Sequence, residues 1–225
     1  MTVKMRLALQ EERATALAER VRRLLGPFTG TEVALDAGSG TGALAFALAP
    51  HVAEAVAVDT EPDYLEAGRA IAPDNVRFVE GDSTALPFDY ASFDIAGCLR
   101  LLHHVRRPEL AVSELVRVTR PGGRVLIADQ LGSVDPLRSL EMDRFERLRD
   151  ASHQRLLPDA DIRGYLDAND LVLLVSEVTR ERVDLEQRLE LADVPDEERV
   201  RVRGLAPASV YDIEVGWYVA RKPGP

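Results

Sequence analysis

The chain has 225 residues, 46% of them hydrophobic, 29% charged and only 5% aromatic, with a formal net charge of -10 at pH 7. That length suits one sizeable core with additions, and no apolar run approaches the roughly 18 residues a membrane span requires. The acidic balance repels polyanions, which argues against nucleic acid and anionic membranes as partners. Arg-rich stretches at Arg20 to Arg23 and Arg144 to Arg149 are interleaved with acids and read as solvated helix faces.

The first element is an amphipathic helix: Leu7, Ala14, Leu17, Val21, Leu24 and Leu25 fall at helical spacing before Gly26-Pro27. The start turns polar at Gln10-Glu11-Glu12 and lacks a signal peptide's apolar segment, and the lone Cys98 fits a reducing compartment and offers no cysteine-based metal site. A cytoplasmic location is expected. Short β-branched runs then alternate with helical patterns: Val33 to Asp36, Gly42 to Ala49, Ala55 to Asp59, Pro62 to Ala72 and Val76 to Glu80. This is a βαβαβ unit of a parallel sheet.

A fourth strand is expected at Phe93 to Cys98, a helix at Pro108 to Val118 and, after the turn Pro121-Gly122-Gly123, a strand at Arg124 to Ala128. Beyond Asp135 the chain is helical and charged to Asp150, and helical again from Asp159 to Ala168. Strands follow at Leu171 to Ser176 and Glu214 to Ala220, separated by an apparent insertion, Glu177 to Asp212, with weak helices near Leu185 to Leu191 and Asp196 to Leu205. The expectation is one domain over 1–225, comprising an N-terminal helix (1–30), a cofactor-binding core (33–129) and helical cap additions (135–168 and 177–212).

The loop Asp36-Ala37-Gly38-Ser39-Gly40-Thr41-Gly42 stands at a strand-to-helix junction, where glycines let a ligand approach the backbone. It satisfies a loose dinucleotide pattern, with Asp59 about 20 residues on. Asp36 separates the possibilities: its carboxylate repels a pyrophosphate but attracts an ammonium and a sulfonium. The alternative for Asp36 is a cap on nearby backbone donors. Asp59 and Asp82 end the next two strands, where carboxylates can accept from ribose hydroxyls and an adenine amino group, with Thr60 and the Ser83 amide beside them. Either acid could equally be a turn residue.

The order Leu-Asp36-Ala-Gly-Ser-Gly-Thr-Gly, Val-Asp59, Gly81-Asp82, Phe93-Asp94, Leu102-His103-His104-Val105 and Arg120-Pro121-Gly122-Gly123 resembles the class I S-adenosylmethionine-dependent methyltransferases. Within these it is similar to the branch of ubiquinone, menaquinone and other small-molecule enzymes. The resemblance covers roughly residues 33–129. It implies a Rossmann-like, doubly wound α/β fold with a seven-stranded, mostly parallel sheet whose last strand is antiparallel. It implies that Asp36, Gly38, Ser39 and Gly40 surround the methionine moiety of S-adenosylmethionine, Asp59 and Thr60 the ribose and adenine, and Asp82 and Ser83 the adenine. The carbonyl of Cys98 is implied to lie near the methionine ammonium.

For the acceptor side, His104 follows the fourth strand and is favoured as a substrate-facing residue or a base. His153 lies in Asp150-Ala151-Ser152-His153, which resembles an Asp-Pro-Ser-His element of some of these enzymes with alanine in place of proline. Its alternative is a structural histidine between helices. Arg100 replaces a common aromatic or aliphatic residue and admits an acidic substrate group or, alternatively, a pairing with a cap carboxylate. No Asn-Pro-Pro-Tyr or Asp-Pro-Pro-Tyr follows the fourth strand, so a small organic acceptor is expected. Two rival functions stay open: a non-catalytic S-adenosylmethionine-binding module and a nicotinamide-dependent oxidoreductase, the latter opposed by Asp36, Asp82 and the lack of a Tyr-x-x-x-Lys pair. Oligomeric state is not legible.

Overall fold

The structure is a computed structural model that describes residues 3–192 and 194–224; Met1, Thr2, Asp193 and Pro225, all within the expected single domain, lie outside the described residues. Helix α1 (Val3–Leu25) leads into β1 (Val33–Ala37), α2 (Ala43–Leu48), β2 (Glu54–Asp59), α3 (Pro62–Arg69) and β3 (Val76–Glu80). Then come β4 (Phe93–Leu99), α4 (Pro108–Val118), β5 (Thr119–Gln130), α5 (Pro136–Arg149) and α6 (Asp159–Ala168). The chain closes with β6 (Val172–Asp184), α7 (Leu185–Leu191), α8 (Asp196–Leu205) and β7 (Val210–Arg221).

The seven strands form one sheet in the order β3-β2-β1-β4-β5-β7-β6. Strands β1 to β5 pair in parallel, and β7 runs antiparallel to both β5 and β6. The fold expected from the resemblance is therefore the fold observed. Central strands such as β1 and β2 are buried along most of their length, with acids only near their ends, because helices cover both sheet faces. Residues of α1, α2 and α3 pack on one face and residues of α4 and α6 on the other.

The chain leaves the sheet edge at β3 and re-enters beside β1 as β4, so the strand order reverses between β1 and β4. In open α/β sheets ligands bind outside the carboxyl ends of the strands at such a switch point. The glycine loop leaves β1 at that point.

The region 177–212 differs from expectation. It is not a loop excursion along its whole length: β6 and β7 pair from Val172↔Arg221 to Asp184↔Val210, so only α7, α8 and their connections stand outside the hairpin. The extension was hidden because Ser176 to Asp184 is polar on both sides, without the apolar alternation of a half-buried strand. The two helices themselves fall where the sequence places them.

Candidate active site

Gly38 and Gly40 adopt φ values of 65° and 55°, a conformation that L side chains rarely take. They are also crowded. A methyl group on Gly38 would stand 2.3 Å from the Leu101 side chain, and one on Gly40 would stand 2.2 Å from an Arg6 guanidinium nitrogen. The loop is pinned to β2, since Ser39 N–H donates to the Val58 carbonyl at 2.9 Å and Gly40 N–H to the Asp59 carboxylate at 2.6 Å.

Asp36 is 2% exposed and accepts the Ala45 amide at 3.0 Å, so it caps the start of α2, whose N-cap residue Gly42 has no side chain for the task. Burial pushes its carboxyl up; the Ala45 amide opposes this, Asp59 adds to it, and the result is about 7. A buried acid this easily protonated is a site that a cation would stabilise. Capping and cation binding are compatible, because a carboxylate has about four lone-pair sites and the cap uses few of them.

Asp59 takes the Gly40 amide on one oxygen and the Glu61 amide, at 3.0 Å, on the other. Its remaining lone pairs suit two hydroxyl donors. Thr60 is exposed beside it. Asp82 is exposed and receives the Thr84 amide at 2.7 Å and hydroxyl at 2.8 Å, the geometry of a turn, while Ser83 is buried. The structure thus brings Asp36, Gly38, Ser39, Gly40 and Asp59 together, and sets Asp82 and Ser83 at the end of the adjoining strand β3. Cys98 is fully buried in β4, which pairs with β1 in parallel, and burial raises its thiol well above the usual range.

The three histidines His103, His104 and His153 form one cluster. The rings of His103 and His104 are 4.1 Å apart and those of His103 and His153 5.8 Å. His103 turns inward: its Nδ1 contacts Asp129, which is 1% exposed, and its carbonyl receives the Gln154 and Arg155 amides. Burial pushes the Asp129 carboxyl up, but the His103 charge and hydrogen bond outweigh that and hold it below its ordinary value. His153 is 3% exposed, with Nε2 at 2.9 Å from Asp143, which also accepts the Leu156 amide. That is a tie between α5 and the following loop.

His104 is half-buried, and its Nδ1 lies 3.0 Å from the Ser152 hydroxyl. Ser152 in turn donates that hydroxyl hydrogen to Asp150 at 2.6 Å. A hydroxyl has one hydrogen, and the carboxylate can only accept. The His104 Nδ1 must therefore be the donor to Ser152, which leaves Nε2 unprotonated and able to accept a proton. Burial first, then His103, pushes His104 down to about 4. Burial pushes Asp150 up, but the Ser152 hydroxyl and His104 bring it down to about 2.

Arg100 has φ 53° and pairs with Glu181 of β6 at 2.6 Å; Arg13 of α1 reaches the same carboxylate oxygen at 3.7 Å. The carboxylate pairing weighed from sequence is present, but its partner belongs to sheet strand β6 and not to a helical cap. Residues that sequence reasoning missed include Arg6, Gln10 and Arg13. Their signal was the spacing: they recur at four and three residues on the polar side of α1, one helical face.

The parallel sheet, the glycine loop at its switch point and the acids ending β1 and β2 define a Rossmann-like domain of the class I methyltransferase type. The model of the methyltransferase domain family matches residues 35–127. The chain is 36% identical over 141 residues to an uncharacterized methyltransferase, YcgJ, of Bacillus subtilis (strain 168), a match covering 61% of this chain and 56% of that protein. It is 40% identical over 109 residues to a demethylmenaquinone methyltransferase of Clavibacter sepedonicus, covering 48% of this chain and 44% of that protein. The matched segments thus span about half the length of these curated relatives. The crystal structure of YcgJ superposes with TM-score 0.86 at 24% identity, over 94% of this chain and 99% of that one. A geranyl diphosphate methyltransferase in complex with SAM shares the fold with TM-score 0.65 at 19% identity, over 92% of this chain and 84% of the other.

Proposed function

We propose that this chain transfers a methyl group from S-adenosylmethionine to a small organic acceptor. The observation that carries the reading is the buried Asp36 carboxylate, raised to about 7, with Asp59 nearby, at a loop of positive-φ glycines. This favours a cationic nucleoside and disfavours the pyrophosphate of a nicotinamide cofactor. When bound, S-adenosylmethionine supplies a methyl group on a sulfonium leaving group.

In this reading Asp36 and the Cys98 carbonyl hold the ammonium, and the backbone of Gly38, Ser39 and Gly40 lines the methionine moiety. Asp59 accepts from the ribose hydroxyls, Thr60 borders the ribose and adenine, and Asp82 and the Ser83 amide take the adenine. Alignment and desolvation of the acceptor supply much of the rate in such a displacement. His104 Nε2 takes the acceptor's proton where it has one to lose. Ser152 and Asp150 keep the imidazole in the required tautomer. His103 and His153 hold the cluster rigid, which makes His153 a positioning residue. Arg100, whose guanidinium shares Glu181 with Arg13, faces an acidic group of the acceptor.

A small acceptor and a cytoplasmic setting accord with the net charge of -10 and with the absence, among the described residues, of a helix long and apolar enough to cross a membrane. Calorimetric titration with S-adenosylmethionine, S-adenosylhomocysteine and NAD tests the reading. Micromolar binding of the first two and none of NAD is expected; NAD binding alone would overturn it.

A further inference from the structure

We propose that Arg6 of α1 recognises the carboxylate of the cofactor's amino-acid tail, an inference that rests on the cofactor reading above. Helix α1 lays one face along the site. Gln10 Nε2 donates to the Thr41 carbonyl at 3.5 Å and Gln10 Oε1 accepts from the Thr41 hydroxyl, Arg13 reaches Glu181, and Arg20 donates to Thr179 at 3.3 Å.

Arg6, one turn before Gln10, reaches the same glycine loop at Gly40. Its guanidinium lies 4.4 Å from the Tyr64 ring centroid and against Gly40, where even a methyl group would not fit. Unlike the other three, it has an unsatisfied donor: its Nε is buried and has no hydrogen-bond partner among the described residues. A buried donor without an acceptor is costly unless a ligand completes it.

The tail of S-adenosylmethionine is a zwitterion. Its ammonium suits Asp36, but the two acids at the loop, Asp36 and Asp59, repel its carboxylate. A guanidinium held against Gly40, in the loop assigned to the methionine moiety, supplies the missing cation in the geometry carboxylates prefer. Tyr64 fixes the plane of the group by stacking, so less side-chain freedom is lost on binding.

The test compares S-adenosylmethionine with its decarboxylated analogue, which keeps the sulfonium and the amine, on wild type, Arg6→Ala and Arg6→Lys by calorimetry. Wild type should prefer the intact ligand by about tenfold or more. Arg6→Ala should lose that preference while binding the analogue within about twofold of wild type, and Arg6→Lys should keep part of it. Unchanged analogue binding also reports an intact pocket. Equal losses for both ligands would make Arg6 a packing residue and overturn the proposal, as would no loss for either. A wild-type protein that binds neither ligand would overturn the cofactor reading itself, and this inference with it.

Discussion

The Asp36 carboxylate is buried within electrostatic reach of Asp59: burial above all, with Asp59 adding to it, raises Asp36 from 3.8 to about 7. Because the folded-state value is raised, the proton's contribution to stability is fully present below pH 3.8 and is lost as pH climbs through about 7. A cation bound beside Asp36 reverses this by favouring the ionised form. S-adenosylmethionine affinity is therefore expected to increase between pH 6 and pH 8, with proton release on binding near pH 7. Titrations in buffers of different ionisation enthalpy check this; pH-independent affinity with no proton release would refute it.

The same residue separates function from stability. Asp36→Asn removes the buried charge while keeping an acceptor for the Ala45 amide, so its melting temperature at pH 8 should exceed that of wild type by about 2 °C or more. Cofactor affinity should fall about tenfold or more. A thermal melt and a binding isotherm read the two effects independently, and a variant both less stable and fully able to bind would contradict the assignment.

His104 is expected to stay neutral across physiological pH and to carry its proton on Nδ1. Nitrogen-15 NMR of the imidazole should show that tautomer, and its titration midpoint should fall near 4, well below an ordinary histidine. Ser152→Ala should release the tautomer and lower turnover while leaving cofactor affinity intact, since Ser152 touches no residue assigned to cofactor binding. An Nε2-protonated ring in wild type would remove the base role, and a midpoint near 6.5 would show that burial does not depress this imidazole.

Arg100 combines an unfavourable backbone with a solvent-screened ion pair, since its side chain is 33% exposed and that of Glu181 28%. A positive φ costs a non-glycine residue about 1–2 kcal/mol, whereas an ion pair of this exposure contributes only about 0–1 kcal/mol. Arg100→Gly should therefore leave thermal stability unchanged or slightly improved. A large loss, about 3 kcal/mol or more by denaturant titration, would mean the pair is far more important than its exposure implies.

Much of this architecture was legible because its signals are local. The strands β1 to β4 announce themselves by apolar runs ended by acids or turn residues, and Gly38 and Gly40 mark positive φ. The partner of Arg100 was not legible as a residue: Glu181 is 81 positions away and sits in a polar stretch of β6 that carries no strand periodicity. For the same reason the Asp129 contact of His103 and the Asp143 contact of His153 could not be read, since the pairings follow from sheet register and the docking of α5. Asp82 illustrates a different limit. Both its cofactor role and its turn role fit the sequence, and the fold displays the turn.

Helices α5 and α7 share an electrostatic anchor that weakens in strong acid. Glu146 of α5 is 3% exposed and binds Arg188 of α7 at 3.2 Å, Arg149 at 2.7 Å and Gln130 of β5 at 3.0 Å. Burial pushes the Glu146 carboxyl up, but Arg188 and Arg149 outweigh it and bring it from 4.5 to about 2. For a depressed acid the stabilisation is present above pH 4.5 and lost as pH falls through about 2. Glu146→Ala leaves Arg188 buried without its carboxylate, which should cost about 3–5 kcal/mol, whereas Glu146→Gln should cost less by keeping the Gln130 contact. The losses should concentrate in α5 and α7, because β1 to β4 do not share the network. Hydrogen exchange at acidic pH should therefore show the amides of α5 and α7 opening before those of β1 and β4; simultaneous opening would show that these helices and the sheet unfold as one unit.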